Sequence, residues 1–107
     1  MKEIKAIIRD YVVDEVVDAL EQLQCPPAIT LSDVRGMGHT ERSELSDRFI
    51  RRARLEIVVP AAQVDEIVRV IVEKAHTGRN GDGIVFVSDV ERSVRIRTGT
   101  EGDAALK

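Results

Sequence analysis

Apolar and polar positions along this chain change period twice, in the same order each time. Ile4, Ala6 and Ile8 alternate with Lys5, Ile7 and Arg9, a two-residue period that predicts a strand over residues 2–9. Val13, Val16, Val17, Leu20 and Leu23 then follow at helical spacing. Asp14 and Glu15 fall in the first turn, where the helix dipole favours acids. Pro26-Pro27 closes the helix, Ala28 to Arg35 reads as a second strand, and Gly36-Met37-Gly38 breaks it.

The second half repeats this plan. Val13-Asp14-Glu15-Val16-Val17 matches Val64-Asp65-Glu66-Ile67-Val68 at an offset of 51, and Ile4, Ile7 and Ile8 match Leu55, Val58 and Val59 at the same offset. Ser32-Asp33-Val34 matches Ser88-Asp89-Val90 at an offset of 56. The second helix-to-strand connection is therefore five residues longer, and the extra length falls where Thr77-Gly78-Arg79-Asn80-Gly81-Asp82-Gly83 stands. Two such units give β-α-β-β-α-β, an α+β sandwich of the ferredoxin-like kind with both helices on one face of an antiparallel sheet. Leu55, Ile57 and Val59 alternate with Glu56 and Val58, and Ile84 and Phe86 alternate with Val85 and Val87. Both sheet faces are thus partly apolar while helices cover one, which predicts closed self-association through the other. Met37 to Arg52 has no period and is dense in charge, so it reads as an exposed loop between the halves.

Length and charge narrow the function. The 107 residues suit one domain with a small core of Val, Ile, Leu and Ala, since aromatics are only 3%. A net charge of −3 and the lack of Trp speak against nucleic acid as a partner. No apolar run has the roughly 20 residues that span a bilayer, and the charged start lacks a signal-peptide segment. With Cys25 as the lone cysteine, this reads as a cytoplasmic protein without membrane insertion.

Two stretches carry candidate chemistry. Three glycines over residues 78–83 let backbone N–H groups converge on a phosphate. The plainer alternative is a helix cap at Gly78 followed by a turn at Gly81-Asp82-Gly83. It is not a P-loop, because the Gly-Lys-Ser/Thr ending is absent and a strand follows. In Val94-Arg95-Ile96-Arg97 a two-residue period directs both guanidiniums to one side, unless this is only a charged edge strand. Together they read as a polyphosphate site, since Arg offers phosphate a planar fork of donors. Cys25, His39 and His76 share no metal-ligand spacing, and no nucleophile–base–orienter set is present, so neither a metal centre nor an enzyme is expected.

The chain resembles the PII signal-transduction proteins over nearly its whole length. The resemblance rests on Lys2 to Arg9, Val34-Arg35-Gly36-Met37-Gly38, Leu55 to Pro60, Thr77 to Gly83 and Arg95-Ile96-Arg97-Thr98-Gly99. It implies a homotrimer with an adenine nucleotide (ATP, ADP or AMP, magnesium left open) in clefts between subunits. It also implies a T-loop, about residues 37–52, that docks on a target such as a membrane transporter. Carried over by position, Gly81, Asp82 and Gly83 would hold the phosphates with Arg95 and Arg97. Gly36 and Gly38 would shape the loop base, and Ile7, Thr30, Glu56 and Val58 would surround base and ribose. His39, Glu41, Arg42, Glu44 and Arg48 would be the loop's partner contacts. Ile84 stands where the family usually has Lys, the loop is shorter than in the familiar nitrogen regulators, and it holds no Tyr. These departures point to a divergent PII-like branch. The alternative is a metal-tolerance trimer similar to CutA proteins, resting on His39 and His76.

Overall fold

The alternation at the start of the chain forms one of the two central strands of the sheet. A computed structural model describes residues 1–37 and 49–107. Gly38, His39, Glu41, Arg42, Glu44 and Arg48 lie outside the described residues. The elements are β1 (Lys2–Arg9), α1 (Val13–Glu21), β2 (Thr30–Gly36), β3 (Ile50–Val59), α2 (Val64–Ala75) and β4 (Gly83–Asp89). A short 3-10 turn leads into each helix, Asp10–Val12 and Ala61–Gln63, and another, Gly102–Leu106, lies near the end of the chain. The sheet order is β2-β3-β1-β4 with every neighbouring pair antiparallel, the ferredoxin-like arrangement.

The repeat seen in sequence is a repeat in space. Lys2 pairs with Asp89, and Ala53, its counterpart 51 residues on, pairs with Asp33. Asp33 and Asp89 are therefore equivalent positions, and the offset of 56 is the structural one. The expected longer connection is not found: residues 22–29 join α1 to β2 and residues 76–82 join α2 to β4, so the extra residues go into a longer α2 and an earlier start of β4.

Burial explains why one face of the sheet is almost purely aliphatic. Ile4, Ala6 and Ile8 of β1 and Ala53, Leu55, Ile57 and Val59 of β3 pack under Val16 and Leu20 of α1 and Ile67, Val70 and Ile71 of α2. Each fully buried Val, Leu or Ile among them contributes about 1.5–3 kcal/mol. On the opposite face the register brings together Val34 on β2, Arg54, Glu56 and Val58 on β3, Lys5 and Ile7 on β1, and Ile84 and Phe86 on β4. No described helix covers this face, and Ile84 and Phe86 stay 52% and 51% exposed.

Three expectations are corrected. β2 begins at Thr30, two residues later than the apolar spacing suggests, after a stretch set by Pro26-Pro27, which offers a ladder no N–H donors. Ile50, Arg51 and Arg52 are strand, not loop: Ile50 pairs with Gly36, and Arg52 pairs with both Val34 and Arg9. Charge hid that strand start, yet Arg52 is 7% exposed. The third concerns Arg95-Ile96-Arg97, which form a turn rather than a strand. There Arg95 N–H donates to Thr100 O (2.8 Å) and Gly99 N–H to Arg95 O (2.7 Å), closing a small hairpin around Val94 and Glu101.

The glycine that opens β4 is fixed by close approach. Gly83 has φ +113°, and a Cβ there would stand 2.0 Å from the carbonyl oxygen of Ile7. Gly83→Ala is expected to cost at least about 2 kcal/mol of stability. Gly99 has φ +71° with nothing within 4 Å of an added Cβ. Gly99→Ala should accordingly cost only about 1 kcal/mol. Urea unfolding of the two variants beside the parent checks the order; equal losses would mean that the contact with Ile7 relaxes freely.

Candidate functional site

The glycine loop is built around one carboxylate. Helix α2 ends at Ala75, His76 is extended at its C-cap, and Gly78 and Gly81 take positive φ of 85° and 93°. This folds residues 77–82 back on themselves. Asp82 accepts hydrogen bonds from the hydroxyl of Thr77, from Thr77 N–H at 2.7 Å and from Gly78 N–H at 2.9 Å. Arg9, the last residue of β1, donates through Nε to Asp82 at 3.2 Å and through Nη2 to the carbonyl of Asn80 at 2.6 Å. His76 Nδ1 lies 3.8 Å from the same carboxylate. The Thr77 hydroxyl above all, then the Thr77 and Gly78 N–H groups and Arg9, hold the Asp82 carboxyl far below the usual carboxylate range. The Asp82 carboxylate is thus engaged inside the loop. Among the described residues, the N–H groups of Asn80 and Gly81 have no hydrogen-bond partner.

The sequence-derived site residues fall into two groups. Gly36 ends β2 and Ile7 lies on the uncovered face beside Ile84, toward the end of the sheet where the glycine loop stands. Thr30, Glu56 and Val58 share that face farther along: Thr30 pairs with Glu56, and Val58 with Glu3. Arg54 ties this region together, with Nε 3.1 Å from both Ser32 Oγ and Glu56 Oε1. The Arg95–Thr98 turn lies beyond the far end of β4, where Val90 N–H bonds Met1 O and Arg95 Nη2 donates to Lys107 O at 2.6 Å. Six steps of about 3.4 Å along β4 put its two ends about 20 Å apart. One chain therefore does not bring the glycine loop and the arginine turn together. Ile96, between the two arginines, is fully exposed.

A separate cavity of about 300 Å3 lies at the root of the 38–48 segment, lined by Asp10, Asp33, Val34, Arg35, Arg51 and Arg52. None of the sequence-derived nucleotide residues lines it. No group of three or more His, Cys, Asp or Glu side chains suited to a metal ion occurs among the described residues. No helix among them is long and apolar enough to cross a membrane. Arg9 and Arg54 escaped the sequence reading. Arg9 had a faint signal, an arginine closing a strand in a chain whose glycine loop carries an acid, but nothing local links positions 73 residues apart.

The family model described as nitrogen regulatory protein P-II matches residues 1–100 of this chain. Among relatives, the nitrogen regulatory protein P-II of Pasteurella multocida is 42% identical over 113 aligned positions, covering 99% of this chain and 100% of the relative. The protein of the same name in Haemophilus influenzae is 40% identical with the same coverage. Nitrogen regulatory protein P-II 1 of Escherichia coli K12 is 42% identical, again over 99% of this chain and 100% of its own length. The 113 aligned positions exceed the 107 residues here, so the alignments contain gaps on the side of this chain. On the family match and this identity along its full length, the chain belongs to the nitrogen regulatory protein P-II family.

Proposed function

We propose that this chain is a nucleotide-responsive regulator that works as a homotrimer, holding an adenine nucleotide between subunits and controlling a target protein through the 38–48 segment. The observation that carries this reading is the division of the site. Glycine loop and arginine turn stand at opposite ends of β4, and the face between them carries half-exposed Ile84 and Phe86. When that face packs against another copy, the arginine turn of one chain can reach the glycine loop of the next. The phosphates then sit on the free N–H groups of Asn80 and Gly81, with the backbone of Asp82 and Gly83 beside them. Arg95 and Arg97 come from the neighbour and neutralise the phosphates. Ile7 and Val58 supply apolar walls for a base, while Thr30 and Glu56 offer a hydroxyl and a carboxylate to a sugar or an exocyclic amine. Nothing in this arrangement calls for a catalytic base, which suits a sensor rather than an enzyme. The target, a membrane transporter being one candidate class, reads the segment whose root includes Gly36.

Each charge-assisted phosphate contact is worth about 1.5–3 kcal/mol, so Arg97→Ala should weaken nucleotide binding about tenfold or more. Light scattering should report a trimer for the parent. The division of the site adds a sharper expectation. Refolding Arg97→Ala chains together with Gly81→Val chains should restore some tight sites, because a cleft that draws its glycine loop from the first and its arginines from the second is intact. Titration calorimetry of the mixture against each variant alone decides this; no recovery in a mixed trimer would mean that one chain supplies both halves.

Ile84 lies beside Ile7 on the uncovered face. An apolar side chain there gives distal phosphates nothing, so ATP and ADP should bind with similar affinity. Ile84→Lys should then tighten ATP more than AMP, since a cation added there reaches only the outer phosphates. Equal effects on all three nucleotides would remove Ile84 from the phosphate end of the site.

Replacing residues 38–48 with a short Gly-Ser linker leaves every described strand intact and should leave the trimer unchanged. It should abolish capture of the target, which the parent takes up in a nucleotide-dependent way. A linker trimer that still captures the same target with the same nucleotide dependence would place recognition elsewhere.

A further inference from the structure

We infer that Arg9 is a positioning residue for the glycine loop, holding it in the shape in which its free N–H groups can receive a phosphate; this rests on the nucleotide reading above. Two of its donors are already committed. Nε engages the carboxylate of Asp82, and Nη2 engages the carbonyl of Asn80. Asp82 in turn gathers Thr77 and Gly78 through the opposite side of the loop. Arg9 thus clamps both arms of the loop, the Thr77–Gly78 arm through Asp82 and the turn at Asn80 directly. It fastens them to the end of a central strand.

Three features make this a strut rather than an incidental surface pair. The pair is largely shielded, with side-chain exposure of 17% for Arg9 and 23% for Asp82, so water and salt screen it less than an open pair. Gly78, Gly81 and Gly83 leave the loop backbone little intrinsic preference for one shape, so order must come from side chains that bridge it. The Asn80 carbonyl accepts from Arg9, which anchors the peptide that carries the free N–H of Gly81. Because two of its donors face the loop, Arg9 acts on a phosphate through the loop rather than as the ligand itself. Tyr11, whose ring centroid lies 6.0 Å from the guanidinium, closes another side. The Asp82 carboxylate likewise serves the loop and not the nucleotide.

The test is amide hydrogen exchange of the nucleotide-free protein, read together with ATP titration. Arg9→Met keeps the apolar stem and removes the donors. It should speed exchange of the Thr77 and Gly78 amides about tenfold or more while the core amides of β1 and β3 keep their protection. ATP affinity should fall by a similar factor. Arg9→Lys keeps the charge but not the two-donor grip and should recover part of both losses. Asp82→Asn should reproduce the faster exchange, and the Arg9→Met/Asp82→Asn double variant should be little worse than the stronger single one, as members of one network behave. Unchanged exchange in Arg9→Met would overturn the inference. So would an affinity loss without faster exchange, which would make Arg9 a direct phosphate ligand, and faster exchange without an affinity loss. If the parent binds no nucleotide at all, the functional reading fails separately, and the exchange data alone still decide whether Arg9 orders the loop.

Discussion

Two helices cannot cover both faces of a four-stranded sheet, and the rest of the molecule follows from that shortage. The covered face is aliphatic to the point that Ile4, Ala6 and Leu55 are wholly buried. The other face is mixed, and its mixture is ordered. Arg54 is bound to Ser32 and to Glu56, and Lys5 stands directly across from Glu56 in the register. Arg54 thus has partners both on its own strand and on β2 within the chain, so covering it leaves its charge compensated. Ile7, Val34, Val58, Ile84 and Phe86 supply the apolar area between them. That apolar area is what the proposed packing against another copy would bury.

Most of this fold was legible because the chain states its plan twice. The helical spacing of Val13, Val16 and Leu20 recurs in Val64, Ile67 and Ile71, and in both halves the first turn holds an Asp-Glu pair. Repetition separates signal from accident: a stretch that could be helix or strand alone is settled by its counterpart. The change of offset from 51 to 56 pointed to the stretch around the glycine loop but misplaced the extra residues, which extend α2 and β4 rather than the connection between them. Edges read less well. Arg51 and Arg52 look like loop by charge, but a strand end tolerates charge on whichever side points to water, and Arg52 stays mostly covered while pairing across to Arg9.

The arginine turn failed for a related reason. Val94-Arg95-Ile96-Arg97 alternates as a strand should, yet alternation records only which way side chains would point if the backbone were extended. Here Gly99, at φ +71°, lets the chain double back, and the Arg95 and Gly99 hydrogen bonds close a hairpin instead. A fully exposed Ile96 is the sign that alternation was not describing a packed strand. The clamp on the glycine loop was unreadable on other grounds. Gly-Asp-Gly reads naturally as a turn that offers its backbone to an anion, and an acid within it looks like a liability. Only the fold brings Arg9 alongside, and the acid then becomes the internal anchor of the loop, taking the Thr77 and Gly78 N–H groups and leaving those of Asn80 and Gly81 unpaired among the described residues.

That anchor also fixes what lies beside what. Across the uncovered face at this end of the sheet runs one row: Val34 on β2, Arg52 on β3, Arg9 on β1, and then Asp82 just ahead of β4. The row begins two residues before Gly36 at the root of the 38–48 segment and ends in the glycine loop. Arg9 and Arg52 are neighbours of like charge in the register, a pairing that is unfavourable unless each finds an acceptor. Arg9 finds Asp82, and Arg52 donates to the carbonyl of Arg51. Both guanidiniums are thus engaged at one ladder step, Arg9 by the glycine loop and Arg52 by the backbone of its own strand, next to the strand that leads into the segment.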